Sequence, residues 1–434
     1  MTDPSRPASA RAAGADTSPP PGELRHNILT LGADLSLFLV GLSFASHSTI
    51  LPAFVAHLGA PNILIGAIPA VMTVGWSLPA LFAAGHTEAL PRKLPFVVRY
   101  SIWERAPFLV MAAVAFFLAG AAPALALVLV LAALLVITGM GGVLIPAWMD
   151  VVGRAIPTTL RGRFFAVSSL VGSGGGLLGS ALTAYILAAI PAPASFGVCF
   201  LLSAVFMALS YAALLLVREP PAGAPRPAVP LGTYFRRLPL LLRQDHNLSW
   251  FLVARVFAIL GMMAMGFFTV YALRVYQAAT WQVGVFTALL LGGEMLGTLA
   301  LGWLADRAGH RLVIMAGVAA MGGANVLALA APSLEVFQIV FALAGVQMAA
   351  VHVSTLAILL EFAPTVEEQP TYVGLGNTLL APVMFLSPLA AGTLADAAGF
   401  EPVFIVAAAC ALVGLGLLSA RVRDPRHRAP APIE

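Results

Sequence analysis

From residue 28 to residue 420 the chain alternates apolar blocks, each about as long as a bilayer crossing requires, with short breaks. The blocks lie at 28–57, 62–84, 95–119, 123–149, 163–190, 195–217, 247–275, 281–305, 311–331, 334–361, 371–395 and 400–420. The breaks carry turn chemistry, as at Gly59, Ala60 and Pro61, at Ala121, Ala122 and Pro123, and at Ala331, Pro332 and Ser333. The pattern predicts an all-α membrane protein with twelve transmembrane helices in two six-helix bundles. Residues 1–27 contain no apolar run and are expected to be a disordered tail. A first bundle is expected over 28–218, a linker over 219–246, a second bundle over 247–421 and a tail over 422–434. The linker opens on a Pro-rich stretch, 219–230. Beyond it Leu231, Tyr234, Phe235, Leu238, Leu241 and Leu242 share one helical face, which predicts a short interfacial helix kinked at Pro239.

Composition agrees. Apolar residues make up 60% of the 434 positions and charged residues 10%, with a mean hydropathy of +0.94. Soluble domains carry roughly 25% charged residues, so a water-soluble enzyme is excluded. Arg and Lys collect in alternate loops: Arg92 and Lys93; Arg154, Arg161 and Arg163; Arg218 to Arg243; Arg307 and Arg311; Arg421 to Arg428. The opposite loops are nearly free of basic residues, Arg274 excepted. The positive-inside rule therefore puts both termini in the cytoplasm, as an even helix number requires. Acidic Glu361, Glu367 and Glu368 on the cytoplasmic side weigh little in that rule. Lys93 is the sole lysine in an Ala- and Arg-rich chain, which suggests a GC-rich bacterial source and hence the inner membrane. The spread of basic residues argues against nucleic acid. Cys199 and Cys410 lie in apolar runs, so neither disulfides nor cysteine metal sites are expected. No cofactor motif, Walker motif, HExxH or GxSxG occurs, and an enzyme is not expected.

Two internal repeats organise the chain. Residues 302–309 (GWLADRAG) and 392–399 (GTLADAAG) agree at six of eight positions but end on opposite sides of the membrane, so this repeat is inverted. Val217, Arg218, Glu219 and Pro220 recur as Val422, Arg423, Asp424 and Pro425, half to half. Inverted repeats nested in two parallel halves belong to transporters whose bundles rock about a central site.

Gly302, Leu304, Ala305, Asp306, Arg307, Gly309 and Arg311 are similar to the signature loop G-x-L-A-D-R-x-G-x-R of the major facilitator superfamily. The resemblance runs from residue 28 to 425 through helix count, central loop and half-repeat. The family keeps that loop best after its second helix; here Gly85, His86, Thr87, Glu88, Arg92 and Lys93 stand in a degraded version. Asp150, Arg154, Pro157, Arg161, Gly162 and Arg163 resemble the family's loop between helices four and five, with Glu361 and Pro364 as the second-half counterpart. The resemblance implies alternating access, a cavity lined by the first, fourth, seventh and tenth helices, and a cytoplasmic latch. Gly302 would admit a neighbouring helix, and Asp306, Arg307, Gly309 and Arg311 would pair with the network of Asp150, Arg154, Arg161 and Arg163. The fourth span lacks an arginine and the fifth lacks a Gly-Pro pair, both usual in the family's drug–proton antiporters.

Charge inside the membrane is costly and points to function. Glu294, mid-way along the eighth span, is a candidate proton carrier or substrate ligand, with a structural pairing to Arg255 as the alternative. Arg255 lies roughly 12 Å and Asp34 about 9 Å into their spans. His352 and His47 are candidates for titration near neutral pH. Glu104 and Arg105 point about 100° apart on a helix and are expected to bind separate neighbours. Met262, Met263, Met265, Phe267, Phe268 and Tyr271 give the seventh span an adaptable apolar wall or ordinary packing. Gly172, Gly176, Gly175 and Gly179 predict tight packing of the fifth span. The expected partners are a small-molecule substrate, protons and the lipid bilayer, and the expected state is a monomer. The rival functions are an ion-uncoupled facilitator, a membrane sensor and an intramembrane enzyme.

Overall fold

The computed structural model describes residues 21–219, 245–365 and 368–427. Twelve helices there are long and apolar enough to span a membrane. We number them α1 Pro21–Phe44, α2 Asn62–Ala89, α3 Leu94–Leu118, α4 Pro123–Ala155, α5 Thr158–Ala189, α6 Ala194–Leu215, α7 His246–Arg274, α8 Gln282–Ala308, α9 His310–Ala330, α10 Leu334–Phe362, α11 Gln369–Ala398 and α12 Phe400–Ala420. They form two six-helix bundles, α1–α6 and α7–α12. The expected interfacial helix over 231–243 lies outside the described residues, as do 1–20 and 428–434.

The first helix is already formed at Pro21, the first described residue, ahead of the expected residue 28. The block 28–57 is also not one helix. It breaks after Phe44 and resumes as a short helix, Ile50–His57. The break holds Ser46, His47, Ser48 and Thr49, residue types of low helix propensity. The seventh span breaks comparably: helix ends at Gly261 and resumes at Phe268 beyond Met262–Phe267. Thr269 Oγ1 donates to Ser48 O at 3.2 Å, so the two broken helices meet at their breaks. The third span is interrupted at Pro107, which cannot supply the helical N–H, and ends in a π turn, Val114–Leu118.

The half-to-half repeat has a physical basis. Asn27 clamps the end of α6, its amide donating to Arg218 O at 2.9 Å and accepting from Arg218 N at 3.0 Å. Asn247 does the same to the end of α12, at 2.9 Å to Arg423 O and 2.8 Å from Arg423 N. Each clamp ties the first helix of a bundle to its last, on the side where both termini emerge. We call this the terminal side.

Glycines set how closely helices approach. A Cβ on Gly345 of α10 would stand 2.6 Å from Glu294 N, and one on Gly297 of α8 would stand 2.9 Å from Ala349 Cβ. The α8–α10 pair therefore packs backbone to backbone. In α5, Gly172 and Gly179 receive Leu39 and Phe44 of α1 in the same manner, as the glycine spacing predicts. Gly345→Val is expected to destabilise the protein by about 1–3 kcal/mol through overpacking, read as a lower melting temperature in detergent. An unchanged melting temperature contradicts this packing.

Candidate functional site

A cavity of about 250 Å³ lies between the two bundles. His47 and Ser48 come from the break in α1, Pro69 and Thr73 from α2, Met262, Met263 and Met265 from the break in α7. Met348 and His352 come from α10, and Met384, Ser387 and Pro388 from α11. Five methionines in one wall make it soft and adaptable. The α7 wall divides: Met262, Met263 and Met265 line the cavity, whereas Phe267, Phe268 and Tyr271 pack into the core.

Glu294 does not pair with Arg255. Its Oε1 lies 2.9 Å from His352 Nδ1. The glycine contacts between α8 and α10 bring these helices close enough for that bond. Glu294 is largely covered, whereas the His352 ring is exposed to the cavity. A carboxylate hydrogen-bonded to an accessible imidazole can pass a proton between buried and solvated positions. Arg255 is buried; its Nη2 reaches Thr355 Oγ1 at 3.4 Å and its Nε has no hydrogen-bond partner among the described residues.

Asp34 belongs to a different cluster, inside the first bundle. Its Oδ1 accepts from Arg105 Nη2 at 2.9 Å and Ser210 Oγ at 2.6 Å, and its Oδ2 accepts from Trp148 Nε1 at 3.0 Å. Arg105 Nη1 also donates to Glu104 Oε2 at 3.0 Å. The expectation that these neighbours pair elsewhere is corrected. The regular α-helix ends at Arg105, ahead of Pro107, and two long side chains span the angle.

Among the described residues, the terminal-side charges that have partners bind within their own bundles. Asp150 pairs with Arg154 at 2.7 Å and Lys93 at 3.1 Å. Glu219 accepts from the N-terminal amides of α3, Lys93 N at 2.7 Å and Leu94 N at 3.2 Å. Arg161 donates to Ile156 O at 2.8 Å and to Gly153 O, while Arg163 is exposed. In the second bundle Arg311 grips the end of α12, donating to Leu418 O at 2.8 Å and Ser419 O at 2.8 Å. Gly309 turns the chain at φ 90°. Arg307 stacks over Trp303 of its own helix at 4.1 Å. The expected close approach at Gly302 is absent: a Cβ there would meet nothing within 4 Å. Asp306 is exposed.

Contacts between bundles gather at the other end. Asp396 of α11 accepts from Asn62 N at 2.8 Å and Ile63 N at 2.9 Å, capping the N-terminus of α2 across the interface. Gly392, one turn earlier, lets the backbones meet; a Cβ there would stand 2.6 Å from Ile63 Cα. Arg274 donates to Asn62 Oδ1 at 2.9 Å and Ala60 O at 3.3 Å, and Thr49 and Thr287 hydroxyls lie 2.7 Å apart. Gly392 and Asp396 are the inverted-repeat counterparts of Gly302 and Asp306. Sequence reasoning found the repeat but did not foresee that Asp396 caps a helix.

Residues 275–434 match the sequence model of the Major Facilitator Superfamily. Solved structures match over nearly the whole chain. A mutant of the nucleoside transporter NupG superposes with TM-score 0.72 and 11% identity, covering 91% of this chain and 99% of its own. A D-xylose–proton symporter gives 0.68 and 14%, covering 93% and 99%. A bacterial homologue of the iron transporter ferroportin, in an inward-facing state, gives 0.68 and 13%, covering 91% and 97%. This is a major facilitator fold. No curated protein matches the chain. In this major facilitator fold the one guanidinium of Arg105 holds two buried carboxylates. Arg105→Met is therefore expected to destabilise it by about 3–5 kcal/mol, and Asp34→Asn by less, since Arg105 then keeps Glu104. Chemical denaturation in detergent checks the order; an equal or reversed order contradicts the geometry.

Proposed function

We propose that the chain is a secondary transporter that carries a small molecule across a bacterial inner membrane by alternating access. Both termini, and so the terminal side, face the cytoplasm, in keeping with the Arg-rich loops there. The single observation that carries this function is the asymmetry of the interface. The bundles are joined by Asp396, Arg274 and Thr49 at one end, while at the other a Cβ on Gly302 would meet nothing within 4 Å among the described residues. Such a molecule opens its central cavity to the cytoplasm.

The opposite state follows from the inverted repeat. With the cytoplasmic end shut, Asp306 would cap the N-terminus of α5 at Thr158 and Thr159, as Asp396 caps α2. Arg307 would leave Trp303 for the first bundle, and Asp150, Arg154, Arg161 and Arg163 would complete the network. Glu294 and His352 form the coupling pair, with His47 across the same cavity. The proton rides on this pair when the substrate is absent. The Met-lined wall suits a substrate with an apolar face.

The test joins ligand discovery to coupling. Purified protein is screened by thermal shift against metabolites, and a hit at 100 times its dissociation constant adds about 2.7 kcal/mol. Uptake of the hit into proteoliposomes is then followed with and without a proton gradient. The expected result is gradient-dependent uptake that Glu294→Gln reduces at least tenfold while downhill exchange persists. Uptake indifferent to both gradient and substitution means a facilitator and removes Glu294 from the mechanism. Binding without any flux overturns the transport proposal.

A further inference from the structure

Among the described residues, no Arg, Lys, Asp or Glu lines the cavity between the bundles. Glu294 lies outside the lining and bonds to His352. Arg255 stands one helical turn before Ile259, the first α7 residue on the wall, and reaches Thr355 instead. A charged ligand would give up its hydration here without a permanent opposite charge to receive it, so the wall favours an uncharged one.

The polar groups on the wall are few and open. The hydroxyls of Ser48, at the break in α1, and Ser387, on α11, have no hydrogen-bond partner among the described residues. Neither does the ring of His47. His352 uses Nδ1 for Glu294, which leaves Nε2 at the other edge of the ring without a partner among the described residues. These four groups come from three helices, and each can take a hydrogen bond from a ligand's edge.

Much of the remaining wall is thioether. Five methionines line it, and no Phe, Tyr or Trp does. Methionine sulfur makes favourable contacts with aromatic rings. With no such ring on the wall, the ring is the ligand's to bring. Met348 and His352, four residues apart on α10, share a face, which sets a thioether beside a hydrogen-bonding group. The cavity, at about 250 Å³, lies below the roughly 300–1,000 Å³ usual for ligand pockets, so it takes a molecule of one or two rings.

We propose that this cavity takes an uncharged, flat nitrogen heteroaromatic of one or two rings with an amide-like edge. Its faces lie against the methionines. Its edge N–H and C=O groups bond to Ser48, Ser387 and the two imidazoles. The proposal rests on reading the cavity as the substrate site, and it names the class of that substrate.

Binding is measured first and by itself, so that failure of transport and failure of this class are told apart. Quinazolin-4-one and benzimidazol-2-one, both uncharged at pH 7, are titrated calorimetrically into the full chain in detergent. Quinoline-4-carboxylate keeps a two-ring aromatic frame and adds a negative charge. Caprolactam keeps the amide edge and has no aromatic ring. At least one of the uncharged heteroaromatics is expected to bind about tenfold or more tightly than either control. Ser387→Ala is expected to weaken it about five- to tenfold. Replacing Met348 and Met384 together by Leu keeps the apolar volume, removes the sulfur and is expected to cost about fivefold. No binding by either heteroaromatic overturns the proposal, as does a control that binds as tightly. So does full affinity in both folded variants. If a variant does not fold, the four-ligand comparison in the unsubstituted protein decides. Binding of a heteroaromatic without flux removes the transport reading and leaves the ligand class standing.

Discussion

The carboxylate of Asp396 ties the two bundles together at the end away from the termini. It accepts the first amides of α2 from across the interface. A helix N-terminus carries about half a positive charge and unpaired N–H groups, so an aspartate there satisfies both at once. Such a cap contributes only about 0.5–2 kcal/mol. That is enough to shift a two-state equilibrium several-fold and too little to lock it. The rest of the interface is built to the same scale: Arg274 on a carbonyl, two threonine hydroxyls, and glycines that let backbones touch. A closure made of small terms can be undone by a ligand with modest preference for the other state.

The inverted repeat gives the molecule a second copy of this device. Asp306 occupies the place in its repeat that Asp396 occupies in the other, with a glycine one turn earlier in each. One copy is engaged and the other is solvent-facing. This division explains why the terminal-side charges form two separate sets. Asp150, Lys93, Arg154 and Glu219 bind one another, and Arg311 binds the end of α12. Each set ties together elements of its own bundle.

Much of this was legible in the sequence, because period and composition report burial. Twelve apolar blocks, the parallel and inverted repeats and the glycine ladder of α5 all follow from local pattern. What was not legible depends on which helix becomes a neighbour. Glu294 meets His352, not Arg255, because Gly293, Gly297 and Gly345 bring α8 and α10 together. Glu104 and Arg105 pair because the α-helix stops there, a detail that Pro107 signalled and that ideal helical angles hid. The break at Ser46 to Thr49 lay inside a continuous apolar block, and only its run of hydroxyls marked it. Gly302 was given a packing role, yet a Cβ there would meet nothing within 4 Å.

The central claim is that Asp396 and Asp306 are opposed latches on one equilibrium. Spin labels at Gly162→Cys on α5 and Leu312→Cys on α9, in a background with Cys199 and Cys410 replaced by Ser, report opening of the terminal side by pulsed electron–electron distances. The account predicts a long distance in the unliganded protein, a shift of population to a shorter one in Asp396→Ala, and its return on adding Asp306→Ala. A distribution that ignores Asp396→Ala, or a short distance that survives the second substitution, would contradict it.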